Sequence, residues 1–245
     1  MKRLAIYNMK GGVGKTAAAV NLSYAAAQLG ARVLVWDLDP QAATTFYFRV
    51  KPKVKGGGKG IVGGKRDLDD LIKGTDFEGL DLLPADLSYR RFDQLLDDQT
   101  DDDAIFKLVR PLRDDYDFIF FDCPPSLSRL SENIFRAAQS LIIPLVPTTL
   151  SLRTYDQVAA FCEKKKVKKL QMSPFFSMVD RRKKLHREIM EAFPKKHTNL
   201  LPTPIPYASV IEKMGVERAP VAAFAPRSRA AVAYGSLWQD ILDTL

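Results

Sequence analysis

Seven residues near the start, Lys10-Gly11-Gly12-Val13-Gly14-Lys15-Thr16, constrain this chain more than any others. They follow a short apolar run, Arg3–Asn8, and open an Ala-rich stretch, Thr16–Leu29, that ends at Gly30. A strand, a glycine-rich turn and a helix in that order make a phosphate-binding loop. The glycines let consecutive backbone N–H groups turn inward toward anionic oxygens, and the helix N-terminus adds a favourable dipole. Lys15 is placed to reach the β- and γ-phosphates of a nucleotide, and the Thr16 hydroxyl to ligate Mg²⁺. A second run, Gly56-Gly57-Gly58-Lys59-Gly60, has no Ser or Thr after its lysine and no strand before it. It reads instead as part of a flexible basic loop, residues 49–66, with seven Lys/Arg and six Gly.

Beyond the loop, short β-rich runs alternate with helical patterns. The runs are Arg32–Asp37, Leu80–Leu83, Asp117–Asp122, Ser140–Val146, Gln171–Val179 and Leu200–Ile205. Helical periodicity lies near 88–97, 101–113, 128–138, 151–165, 183–193 and 228–243. Strands apolar on both faces and separated by helices predict a single doubly wound α/β domain over 1–245, its mostly parallel sheet covered by helices on both faces. The acidic run Asp97–Asp103 reads as a helix cap or a solvated surface. An apolar share of 46% is enough for that core and excludes disordered and fibrous classes.

Two cysteines, Cys123 and Cys162, are too few for a disulfide framework, so a reduced cytoplasmic setting is expected. The apolar run near the start stops at Asn8, too short for a signal-peptide core. No apolar stretch approaches the ~20 residues of a membrane span.

Further motifs follow in order: Asp37-Leu38-Asp39-Pro40-Gln41, Asp122-Cys123-Pro124-Pro125, Ser177-Met178-Val179-Asp180-Arg181-Arg182, and Pro226-Arg227-Ser228-Arg229 ahead of Ala233-Tyr234. Met9 stands where the standard phosphate loop has its first glycine, and a second lysine, Lys10, follows it. Together these residues resemble the ParA/MinD family of deviant Walker A ATPases, most closely its ParA branch. The resemblance implies a P-loop NTPase fold, the cofactors ATP/ADP and Mg²⁺, and slow hydrolysis stimulated by a partner. Gly11, Gly12, Val13, Gly14, Lys15, Thr16 and Ala17 would hold the phosphates. Ala17 stands where relatives often have a second threonine, so one side-chain contact is missing.

The resemblance also implies roles for individual charges. Lys10 would reach across an ATP-dependent homodimer to the partner's nucleotide, a cation supplied in trans. Asp39 would orient or activate the attacking water. Asp122, a carboxylate at the end of a buried strand, would hold Mg²⁺ through water; the plainer alternative is a helix N-cap. Asp37 is either a structural carboxylate of the first switch or a direct Mg²⁺ contact. Asp180, Arg182, Pro206 and Tyr207 would border the adenine.

The net charge of +8 is unevenly spread. Residues 1–152 hold 20 basic and 20 acidic residues, whereas 153–245 hold 17 and 9. Lys164, Lys165, Lys166, Lys168 and Lys169 form one run; Arg181, Arg182, Lys183, Lys184 and Arg187 form another. Each run alone could be a solvated face. With the resemblance they predict a nucleoid-associated protein that contacts double-stranded DNA without base readout, since no aromatic residues interleave to stack unpaired bases. A ParB-like or other adaptor on the cargo would stimulate the ATPase. The alternative is a MinD-type membrane-associated positioning ATPase, but the tail 235–245 has two aspartates and no Lys/Arg, unlike a basic membrane helix. A cluster-carrying relative would need paired cysteines, which Cys123 and Cys162 do not supply. No membrane partner is expected.

Overall fold

In the computed structural model the described residues are 1–99, 101–167 and 169–245, with the side chain of Gln99 also left aside. The strands are β1 (Lys2–Ile6), β2 (Val33–Asp37), β3 (Lys73–Gly74), β4 (Leu80–Leu83), β5 (Phe118–Asp122), β6 (Ser140–Leu145) and β7 (Gln171–Phe176). They form one sheet in the order β3-β4-β2-β5-β1-β6-β7, parallel throughout except for the short antiparallel pairing of β3 with β4. The helices are α1 (Lys15–Gln28), α2 (Ala43–Tyr47), α3 (Gly57–Val62), α4 (Phe92–Gln99), α5 (Ala104–Val109) and α6 (Arg129–Ala137). They continue with α7 (Thr149–Lys164), α8 (Lys184–Ala192), α9 (Ser209–Glu212), α10 (Met214–Glu217), α11 (Val221–Phe224) and α12 (Arg229–Leu242).

Alternation along the strands divides the core. Tyr7, Leu34, Trp36, Ile119, Phe121 and Ile143 face one helical layer that includes α4–α7, whereas Leu4, Ile6, Val33, Val35, Phe120 and Ile142 face the layer containing α1 and α12. The apolar stripe of α12 is committed to that second layer. Tyr234, Leu237, Trp238 and Ile241 are buried, and the Trp238 ring lies 5.0 Å from Phe118 and 5.6 Å from Phe120. No helix among the described residues is long and apolar enough to cross a membrane.

Two expectations differ from the structure. Residues 49–66 are not a loop throughout, because Gly57–Val62 forms α3. Ile61 and Val62 are buried, and a Cβ on Gly58 would stand 3.1 Å from the Phe92 ring. The glycines there serve close packing rather than an open loop. Leu200–Ile205 forms no strand, since Pro202 and Pro204 lack the N–H groups a ladder requires. Two donors still follow β7, Leu201 N to the Pro174 carbonyl at 2.8 Å and Ile205 N to that of Phe176 at 2.8 Å, whereas Thr203 N between them donates to Asp240 Oδ2 at 2.9 Å.

Candidate active site

Register brings three strand ends together at the centre of the sheet. Ile6 of β1 and Asp37 of β2 both pair with Asp122 of β5, so the loop leaving β1 runs beside two strand-terminal carboxylates. Buried Asn8 fixes the start of that loop: its Nδ2 donates to the Pro144 carbonyl at 2.9 Å, and its Oδ1 accepts from Lys10 N at 2.9 Å. Gly12 and Gly14 take φ of +70° and +91°, conformations that disfavour any side chain. A Cβ on Gly14 would also stand 2.9 Å from Ser177 Oγ, so the end of β7 closes the cradle.

Lys15 Nζ donates to the Lys10 carbonyl at 3.1 Å, folding the side chain back over the loop. Its surroundings oppose one another. Burial pushes the ammonium pKa down, while Asp122, Cys123 and Asp39 draw it up. Asp122 Oδ2 accepts from Thr44 Oγ1 at 2.7 Å, whereas its Oδ1, equally buried, has no hydrogen-bond partner among the described residues. Asp37 has both oxygens engaged: Oδ2 accepts from Thr45 Oγ1 at 2.7 Å and Thr45 N at 2.8 Å, and Oδ1 from Asp39 N at 3.2 Å. Burial raises both carboxyl pKa values. The charge of Asp122 adds to the rise at Asp37, and bonds from Thr44 and Thr16 offset it at Asp122. An orphaned carboxylate oxygen beside the Thr16 hydroxyl, with a second carboxylate behind it, fits a hard divalent cation.

The side chains converge on a cavity of about 340 Å³, lined by Gly11, Gly12, Gly14, Lys15, Thr16, Ala17 and Asp39, with Tyr47, Ser177 and Tyr234. Val13 is buried away from it, Lys10 stands half-buried outside the lining, and Asp37 and Asp122 lie beneath. A hollow of about 520 Å³ is bordered by Asp180, Arg182, Pro206 and Tyr207, the four residues expected at the base. It shares its segments with the first: Ser177 and Met178 precede Val179, and Ile205 precedes Pro206. Asp180 takes a two-pronged ion pair from Arg182, Nε and Nη2 each at 2.9 Å. Sequence reasoning missed Asn8, Thr44 and Thr45. The adjacent threonines just after Asp39-Pro40-Gln41, poor helix formers opening a helix, were the available signal.

The basic runs do not make one surface. Lys164, Lys166 and Lys169 are exposed before β7; Arg181, Arg182, Lys183, Lys184 and Arg187 are exposed after it. Six strand residues at ~3.3 Å each put them about 20 Å apart. Lys165 is not free, since its Nζ lies 2.7 Å from Glu132. Lys168 lies outside the described residues.

A family model described as an AAA domain matches residues 1–173. The sporulation initiation inhibitor protein Soj of Bacillus subtilis (strain 168) is 30% identical over 247 residues, covering 98% of each chain. The chain belongs to the ParA/MinD family of ATPases. Among solved structures, cobyrinic acid a,c-diamide synthase from Mycobacterium smegmatis with bound ATP analog and magnesium superposes with a TM-score of 0.86. It is 27% identical, and the match covers 99% of this chain and 94% of that one. The cell division ATPase MinD of Pyrococcus furiosus, 24% identical, shares the fold with a TM-score of 0.79 over 100% of this chain and 99% of its own. The double-lysine loop, the Asp37–Asp39 segment and Asp122 of this ParA/MinD ATPase therefore sit at the strand ends where their motifs predicted them.

Proposed function

We propose that this chain is a ParA-type positioning ATPase. It binds MgATP, pairs into a homodimer around two nucleotides, holds duplex DNA without base readout, and lets go when an adaptor on its cargo stimulates hydrolysis. The observation that carries this reading is the division of labour between the two loop lysines. Lys15 is folded into the cavity, while the Lys10 side chain makes no hydrogen bond or ion pair among the described residues. A free cation beside a phosphate cradle suits action on a second subunit's nucleotide.

Bound Mg²⁺ would neutralise phosphate charge, and Thr16 and Asp122 are the residues to hold it. Gly11–Gly14 direct backbone N–H groups at the phosphates, and Lys15 adds a charge that burial strengthens. Asp37 acts as a brace: it secures Thr45 on α2 and the backbone of Asp39, which leaves the Asp39 carboxylate at the cavity wall to orient the attacking water. Asp180, Arg182, Pro206 and Tyr207 shape the base end. The cargo adaptor is of the ParB type or belongs to a protein assembly. A membrane role would need an unpartnered amphipathic helix, and the stripe of α12 is already buried.

The test is duplex retention by the full chain with ATP and with ADP at one salt concentration, beside its oligomeric state by light scattering. The reading expects a dimer and DNA retention with ATP, and loss of both with ADP. Equal retention in the two states overturns it.

A further inference from the structure

Residues 1–152 are neutral overall, yet their cations are not evenly spread. Residues 49–66 carry seven Lys/Arg and no acid, balanced only by carboxylates elsewhere. The fold sets these cations on an ordered platform at the β3 edge of the sheet. Val54, Ile61 and Val62 turn inward, leaving Lys51, Lys53, Lys55, Lys59 and Lys65 exposed. The platform is pinned from beneath: Asp86 Oδ2 accepts from Val54 N at 2.9 Å, and Ser88 Oγ accepts from Gly58 N at 2.8 Å. The Asp86 carboxylate is thus bonded to the backbone, with Lys53 the platform lysine whose charge also bears on it. None of the five lysine side chains makes a hydrogen bond or ion pair among the described residues. A cleft of about 580 Å³ beside them is lined by Lys51, Lys53, Lys55 and Lys73 with one carboxylate, Asp70.

We propose that this platform is a second contact face for the backbone of duplex DNA. The inference rests on the reading that the chain binds duplex DNA at all. Clustered ammonium groups outnumbering the carboxylates beside them repel one another and gain most from a polyanion that releases its counterions. Duplex DNA is favoured over a bilayer or a single strand because the larger apolar side chains of the segment are buried or, at Val50, half-buried, so none stands free to enter lipid or to stack on bases. Sheet order puts β3 and β7 at opposite edges, six spacings of ~4.8 Å or about 29 Å apart. The platform and the Arg181–Arg187 run therefore add to affinity separately.

The experiment compares the wild-type chain with a Lys51→Gln/Lys53→Gln/Lys55→Gln/Lys59→Gln variant in ATP, titrating a random-sequence duplex over a salt series. Each lost phosphate contact flattens the slope of log K against log salt by about 0.9, so the expected change is about 2–4, with basal ATPase activity unchanged. An unchanged slope in a variant that hydrolyses ATP normally overturns the platform while leaving DNA binding intact. Wild-type protein that binds no duplex in any nucleotide state overturns both readings, which separates the two failures. Loss of poly-glutamate binding with an unaltered duplex slope reassigns the face to an acidic protein and counts against the proposal. Should the fourfold variant lose basal activity, Lys51→Gln/Lys53→Gln is measured instead, with about half the flattening expected.

Discussion

The strand-end site and the ion network on α6 both bury charge, and they treat it in opposite ways. Glu132, 5% exposed at its side chain, is closed off by Lys165 at 2.7 Å, Arg136 at 3.0 Å and Arg129 at 3.8 Å, so every charge has an opposite within reach. At the strand ends Asp37 and Asp122 lie buried side by side, the charge of Lys15 bears on Asp122, and Asp122 Oδ1 has no hydrogen-bond partner among the described residues. A saturated buried charge holds a fold together; an open one reserves a place for a ligand. The difference lies in the partners each carboxylate is given: Glu132 meets cations that reach in from partly exposed positions, whereas Asp37 and Asp122 are buried beside each other.

Removing a lysine from each region breaks the comparison most directly. Lys15→Ala should lower ATP turnover by about 10³-fold or more, because a cation built into the cradle is lost. Lys165→Ala, on the network side, should leave turnover within about twofold. Phosphate release measured on both variants decides the matter, and equal effects would erase the distinction. Asp39→Ala should come next, with hydrolysis slowed about 10²–10⁴-fold while the ATP-bound dimer persists in light scattering. Normal hydrolysis there would remove Asp39 from the reaction.

The network should answer in stability instead. Glu132→Gln leaves Arg136 and Lys165 facing a neutral group, at a cost of about 2–4 kcal/mol, somewhat below a fully buried pair because the cations are partly exposed. A thermal midpoint lower by about 4–16 °C is the corresponding readout. Acid should mimic the substitution. Burial alone would raise the Glu132 pKa, but bonds from Lys165 and Arg136 outweigh it and hold the carboxyl below its ordinary value. A carboxyl depressed in the folded state contributes stability that is complete above its unfolded pKa and lost as pH falls through the folded one. The wild-type midpoint should therefore fall further than that of Glu132→Gln on acidification below about pH 4. Parallel curves would show that the network is not the source.

What the sequence made legible was local. The phosphate loop lies in one stretch, where a strand, a turn and a helix each leave their own mark, and Asp122 stands out as a carboxylate closing an apolar strand. Asn8, Thr44 and Thr45 act across the fold: Thr44 reaches Asp122 78 positions away and Asn8 reaches Pro144 136 positions away, so no periodicity records them. Residues 49–66 read as a loop in sequence because six Gly among seven Lys/Arg disfavour a helix, three of those glycines lying in α3 itself. The fold overrides that propensity, using the missing side chain of Gly58 to bring the backbone against Phe92 and Tyr89. Likewise, the sequence shows two basic runs within 164–187 but not that β7 separates them.

The smallest expected effect tests that separation. The Arg181–Arg187 run borders the base hollow, so it lies on the side of the molecule that a nucleotide can rearrange. The Lys164–Lys169 run lies beyond the opposite end of β7, where Lys169 shares a cleft with Lys2, Arg3 and Gln171. If duplex DNA is held near the nucleotide end, Arg181→Ala/Lys184→Ala/Arg187→Ala should flatten the salt slope by about 2–3 in ATP, at ~0.9 per contact. Lys164→Ala/Lys166→Ala/Lys169→Ala should change it by less than about one contact. Arg182 is left in place because its ion pair with Asp180 shapes the base hollow, and its loss would mix nucleotide affinity into the DNA measurement. Equal flattening by both triple variants would mean that the duplex reaches both ends of β7, and the nucleotide would then lose its privileged position over DNA release.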